Sequence, residues 1–287
     1  MHRRDFLATS AAAASLPLAA GATALPAMQD AATPAARKGN IRHSVSKWCF
    51  GMPLDQFCVE CKAMGIEAID LLDEKDWDVP LKHGMVCSLG NGPTSIGDGM
   101  NRLENHDRVV EACERLLPIA AAKKVPSVML FSGNRRGMSD DEGLENCTIG
   151  LKRVMPIAEK HGVTILMELL NSKVDHRDYM CDRSPWGVEL VNRVGSERFR
   201  LLYDIYHMQI MEGDVIRTIR DHHTAFGHYH TAGNPGRNEI DDTQELFYPA
   251  ICQAIVATGF KGYLAQEFIP RRNPMESLRQ SIDICDV

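Results

Sequence analysis

Thr164-Ile-Leu-Met-Glu-Leu-Leu170 and Arg200-Leu-Leu-Tyr-Asp-Ile-Tyr206 decide the fold. Each is an apolar run of strand length, and such continuous runs belong to parallel strands covered on both faces. Helical patterns follow them near 184–195 and 212–222, and the same alternation extends along the chain in both directions. The further strand expectations are His43–Trp48, Ile66–Leu71, Met85–Leu89, Ser127–Phe131, Ala225–Thr231 and Gly262–Phe268. Helices are expected near 54–64, 104–123, 141–161 and 243–257, with a weaker one after Asp73 and a last one after Pro274. Eight strand-helix units predict an α/β fold closed into a single (β/α)8 barrel over 41–287, of the usual size of roughly 250 residues. An open doubly wound sheet is the alternative. No Gly-x-Gly-x-x-Gly follows the first strand, so a dinucleotide site has no support. Gly90-Asn91-Gly92 reads as a turn.

The 287 residues include 32 Lys and Arg against 38 Asp and Glu, a formal charge of −6 that gives no electrostatic footprint for nucleic acid. The start of the chain resembles an export signal. Arg3-Arg4 precede Phe6 and Leu7, a mild Ala-rich run and small residues near Ala24 and Ala27. This pattern matches a twin-arginine signal over 1–27, an address for passage across a membrane in the folded state to the periplasm or beyond. Residues 28–40, rich in Ala and Pro, read as a disordered leader. Pro17 and the alanines argue against a spanning helix, so no membrane attachment is expected after cleavage. Nine cysteines without framework spacing predict free thiols. Cys58 and Cys61 complete an i, i+3, i+4, i+7 stripe with Leu54 and Phe57, which predicts the buried face of a helix.

The chemistry lies in polar residues placed within apolar strands. Glu168 and Asp204 interrupt the two opening runs, His230 ends Phe226-Gly-His-Tyr-His, and Glu267 nearly ends Gly262-Tyr-Leu-Ala-Gln-Glu-Phe268. They lie 36, 26 and 37 residues apart, close to the roughly 30 that one strand-helix-strand unit needs. They therefore share one station on successive strands, at the C-terminal mouth where barrel catalysis is found. Three carboxylates converging there repel one another unless a cation joins them. Oxygen-rich ligation with one imidazole suits Mn²⁺ or Mg²⁺, with Co²⁺ and Zn²⁺ as further candidates. Asn171, Lys173, His207, Asn234, Arg237 and Glu239 follow the same strands and could grip an oxygenated ligand. His228, one layer deeper than His230, reads as a hydrogen-bonded core histidine. Asp140-Asp141-Glu142 suits the start of a helix.

Tyr203-Asp-Ile-Tyr-His-Met-Gln-Ile-Met-Glu-Gly213 closely resembles the hydroxypyruvate isomerase family, within the xylose isomerase-like barrels. Met167-Glu-Leu-Leu-Asn171, Gly227-His-Tyr-His-Thr-Ala-Gly-Asn-Pro-Gly-Arg-Asn-Glu239 and Gln266-Glu-Phe268 follow the family order, over about 41–285. The resemblance implies that Glu168 and Glu267 are the catalytic acid/base pair and also hold the metal, with Asp204 and His230 completing its shell. His207 and Arg237 match positions that contact substrate oxygens. Such barrels often pair, which implies a homodimer. Two departures stand out: the isomerases carry Gln where this chain has His230, His being the pattern of the related ketose 3-epimerases and xylose isomerases, and after the third strand they usually show a His-Asn pair where this chain has Ser88-Leu89-Gly90-Asn91. The second leaves the substrate open. The resulting expectation is proton transfer beside a carbonyl, such as hydroxypyruvate to tartronate semialdehyde. The rival readings are a ketose 3-epimerase, a non-catalytic exported sugar-binding protein, and a metal-dependent endonuclease, which would need a basic groove and more histidines.

Overall fold

The structure, a computed structural model, describes residues 37–287. The expected signal segment, 1–27, and most of the expected leader lie outside the described residues. At residues 37–40, where a disordered leader was expected, Arg37 Nε donates to the Met64 carbonyl at 3.1 Å and Asn40 Nδ2 to that of Val287 at 2.8 Å. This short stretch ties the chain's two described ends together.

Eight parallel strands close in sequence order into a barrel. They are β1 (Arg42–Ser46), β2 (Ala68–Leu72), β3 (Val86–Gly90), β4 (Ser127–Met129), β5 (Thr164–Leu169), β6 (Phe199–Asp204), β7 (Phe226–Thr231) and β8 (Tyr263–Gln266). The helices around them are α1 (Leu54–Ala63), α2 (Asp78–Lys82), α3 (His106–Ala122), α4 (Asp140–His161), α5 (Ser184–Val194), α6 (Ile205–Met211), α7 (Val215–His222), α8 (Tyr248–Ala257) and α9 (Pro274–Cys285). No helix among the described residues is long and apolar enough to cross a membrane.

Two apolar clusters result. The larger fills the space between sheet and helices, where Phe57, Cys58 and Cys61 of α1 are buried as their periodicity predicts. The smaller is made of Leu89, Met129, Leu166 and Leu202, one each from β3 to β6, inside the barrel. The opposite wall of the interior is polar, with Ser44, Asp70, Ser88, His228 and His230 all buried. All nine cysteines are free, eight of them buried and Cys49 partly so.

Two local features shape the mouth. The register of β2 against β3 shifts around Asp70 and Leu71, and Leu71 has φ 59°. This bulge lets Asp70 join the polar wall while Leu71 packs on the apolar one. Gly92, just after β3, lies so close to β4 that a Cβ there would sit 1.9 Å from the Met129 carbonyl oxygen. The strand expected through Tyr206 ends instead at Asp204, because the Asp204 carboxylate accepts from the His207 N–H at 3.1 Å and starts α6.

Candidate active site

Interior-facing residues alternate along each strand, so Leu166 and Glu168, Leu202 and Asp204, and His228 and His230 stack in layers rising to the mouth. Glu267 follows β8, held there by its N–H donating to the Thr231 carbonyl at 2.9 Å. One ligand atom each from Glu168, Asp204, His230 and Glu267 falls within 4.8 Å of all the others, and all four residues are buried. The convergence at the mouth expected from spacing is therefore met in space, although in register only Asp204 and His230 are level, Glu168 pairing with Leu202 and His230 with Ala265.

Glu267 is the most heavily held. Its Oε1 accepts from Trp48 Nε1 at 2.8 Å, and its Oε2 lies 2.7 Å from Arg237 Nη2 and 2.9 Å from His230 Nδ1. Burial alone would raise its pKa, but His230 and Arg237 outweigh burial and hold it well below the usual carboxylate range. Asp204 is the reverse: burial pushes its carboxyl up to about 8, despite Arg237. Burial would lower the pKa of His230, yet Glu267, with Asp70 and Glu168, lifts it well above the ordinary value. His207 is desolvated and, with Arg237 nearby, held well below the imidazole range, so it is neutral.

The donor set fits a divalent cation. Glu168 Oε1 and Asp204 Oδ2 are buried without a hydrogen-bond partner, at the point where the four side chains converge. A buried carboxylate oxygen left so is costly unless a cation meets it. Three carboxylates and one imidazole are the ligands that hard and borderline dications take.

The expected substrate residues separate into two groups. His207 Nε2 has no partner and lies 3.7 Å from Asp204 Oδ2, and Arg237 stretches over the site between the rings of Trp48, 5.2 Å away, and Tyr206, 5.6 Å away. Asn171 sits beneath His207: its Nδ2 is 2.6 Å from His207 Nδ1 and 2.7 Å from Asp175 Oδ2, so its amide orients the imidazole. Lys173, Asn234 and Glu239 are engaged in building loops instead of facing the centre. Lys173 Nζ binds the Ile210 and Met211 carbonyls at the end of α6, and Asn234 Nδ2 binds Glu245. Glu239 accepts from the backbone N–H groups of Arg271 and Arg272 and from Ser277 Oγ. A loop residue near a strand end has two competing tasks, and spacing does not distinguish them.

Sequence reasoning missed Trp48, Asp70, Ser44 and Ser88. Asp70 carries the same signal as Glu168, a carboxylate within an apolar strand, whereas Trp48 falls inside the first strand expectation, His43–Trp48. The structure ends that strand at Ser46 and turns Lys47–Cys49 into a 3-10 helix.

A family model described as xylose isomerase-like TIM barrel matches residues 60–286. The chain is 29% identical to the putative hydroxypyruvate isomerase of Homo sapiens over 45% of this chain and 46% of that protein. It is 34% identical to the 2-oxo-tetronate isomerase of Cupriavidus necator over 40% of this chain and 43% of that one. The chain thus spans about half the length of these curated relatives. A crystal structure of an AP endonuclease, family 2, from Brucella melitensis superposes with a TM-score of 0.75 at 24% identity, covering 83% of this chain and 96% of the other; this likeness speaks for the fold alone.

Proposed function

Because the chain belongs to the xylose isomerase-like TIM barrel family, we propose that it is a divalent-metal-dependent isomerase of a small hydroxy-carbonyl compound, of the hydroxypyruvate to tartronate semialdehyde type. The curated relatives named as hydroxypyruvate and 2-oxo-tetronate isomerases support the reaction class. The observation that carries the reading is the convergence of Glu168, Asp204, His230 and Glu267 within 4.8 Å.

These four residues would hold the ion, Mn²⁺ or Mg²⁺ by their oxygen-rich set. When bound, it supplies positive charge that polarises the substrate carbonyl and balances the negative charge that develops on its oxygens. The chain's own groups move the proton. One of Glu168 and Glu267 removes it from the carbon beside the carbonyl, the C–H electron pair becomes the C=C of an enediolate as the carbonyl π pair moves onto its oxygen, and the other glutamate returns a proton to carbon; in the isomerisation the proton of the former hydroxyl passes to the former carbonyl oxygen. Return to the neighbouring carbon interconverts aldose and ketose; return to the opposite face of the same carbon epimerises. Arg237 and His207 contact substrate oxygens, and Trp48 keeps Glu267 from rotating. The twin-arginine leader adds export in the folded state to this proposal, tested by fusing residues 1–40 to a reporter that is active only after that route.

The test is turnover of hydroxypyruvate, 2-oxo-tetronate and a panel of ketoses in D₂O, with EDTA and with Mn²⁺ added back. The expected result is loss in EDTA, recovery with Mn²⁺, and loss in Glu267→Gln, which still binds metal. Deuterium at the neighbouring carbon reports isomerisation, and inversion at one carbon reports epimerisation. Activity unaffected by EDTA and by Glu267→Gln refutes the proposal, and tight sugar binding without turnover supports the non-catalytic rival.

A further inference from the structure

The polar wall below the quartet is built around one carboxylate. Asp70 is fully buried in β2. Its Oδ1 accepts from Ser44 Oγ at 2.6 Å and from Ser88 Oγ, on the two strands that flank β2. Its Oδ2 faces two imidazoles from the far side of the barrel, His228 Nε2 at 2.5 Å and His230 Nε2 at 3.1 Å. A buried carboxylate with this many donors is fixed in place by its two flanking strands and β7 together.

Asp70, His228 and His230 also have the residue types of a cation site. Their spacing argues for a hydrogen-bonded group instead. Two ligands of one ion at about 2.0–2.2 Å each stand about 3 Å or more apart, whereas 2.5 Å between His228 Nε2 and Asp70 Oδ2 is a direct hydrogen bond.

His230 is the member that links the two layers. Its Nε2 points down to Asp70, and its Nδ1 points up to Glu267 Oε2 at 2.9 Å and Glu168 Oε1 at 3.4 Å. A ring nitrogen that ligates a metal must be bare, and the hydrogen bond made by the other nitrogen decides which one that is. We infer that Asp70 is a positioning residue for the metal centre: it accepts and keeps the Nε2–H of His230, so that Nδ1, which now faces Glu267, is the nitrogen left for the ion, and it locks the ring plane toward the quartet. Ser44, Ser88 and His228 hold Asp70 for that task. This inference rests on the metal-centre reading above and deepens it.

The experiment compares wild type, Asp70→Ala and Asp70→Asn by Mn²⁺ titration calorimetry and by proton NMR of the Co²⁺-loaded proteins. In wild type, the expected spectrum contains a hyperfine-shifted, slowly exchanging imidazole N–H from His230. In Asp70→Ala that resonance is lost to solvent exchange and Mn²⁺ binds about 10- to 100-fold more weakly. Asp70→Asn keeps an acceptor without the charge, so the resonance remains at an altered shift and affinity recovers in part. If Asp70→Ala does not fold, the altered shift and the intermediate affinity of Asp70→Asn carry the test. Wild-type affinity and an unchanged N–H signal in a folded Asp70 variant overturn the positioning role while leaving the metal centre intact. Wild-type protein that binds no Mn²⁺ overturns the metal centre and the positioning role with it.

Discussion

His43 gives this barrel a defined sensitivity to acid. It lies in β1 with its side chain outside the barrel lumen, 2% exposed, and neither ring nitrogen has a hydrogen-bond partner. Burial lowers its pKa from 6.5 to about 4, with Asp286 opposing and Arg37 assisting. The unfolded chain takes up a proton through pH 6.5, which the folded protein accepts only near pH 4. Stability from this residue is therefore complete above the unfolded value and lost as pH falls through the interval. At about 1.4 kcal/mol per pH unit the gap corresponds to about 3 kcal/mol, of which about 2 kcal/mol is gone by pH 5. Replacing His43 with Leu removes the titration and two unpaired polar atoms. Urea unfolding followed by circular dichroism, in EDTA at about pH 8 and pH 5, measures both proteins. The expected outcome is that wild type loses about 2 kcal/mol more than His43→Leu between the two conditions. Equal losses in the two proteins would show that His43 is hydrated or paired in the folded state, and the reasoning from burial would fail.

Three further outcomes are expected. Trp48→Phe keeps an aromatic ring but removes the N–H donated to Glu267 Oε1; at about 1–1.5 kcal/mol for such a bond, turnover should fall roughly 5- to 10-fold with little change in thermal midpoint, checked by steady-state kinetics. Phe57→Ala empties a fully buried position that stacks on Phe50 at 5.1 Å, and should cost about 3–5 kcal/mol in urea unfolding. Lys173→Ala removes a cap on the last carbonyls of α6 and should leave kcat and KM near wild type; a tenfold rise in KM would instead place its ammonium on the substrate.

The order of strands and helices was legible because burial on both faces leaves β5 and β6 apolar throughout, while amphipathic helices repeat every 3.6 residues. The quartet was legible for the same reason: a polar group within such a strand conflicts with its surroundings, and separations near one strand-helix-strand unit bring the four conflicts to one end of the barrel. Boundaries were less legible at the mouth, where Asp204 both faces the centre and caps α6, so the apolar pattern runs on through Tyr206 after the strand has ended.

The sequence by itself determined the parallel α/β wheel, the buried cysteines and which side chains face one another at its rim, since periodicity and polarity are properties of local segments. Only the tertiary structure decided that Lys173 and Glu239 brace loops, that Asn171 holds His207, and that Trp48 and Asp70 clamp Glu267 and His230 from two sides. Those pairings join residues separated by 160 positions for Asp70 and His230 and 219 for Trp48 and Glu267. Barrel closure brings β1 and β2 against β7 and β8, and no pattern within either segment encodes the distance between them.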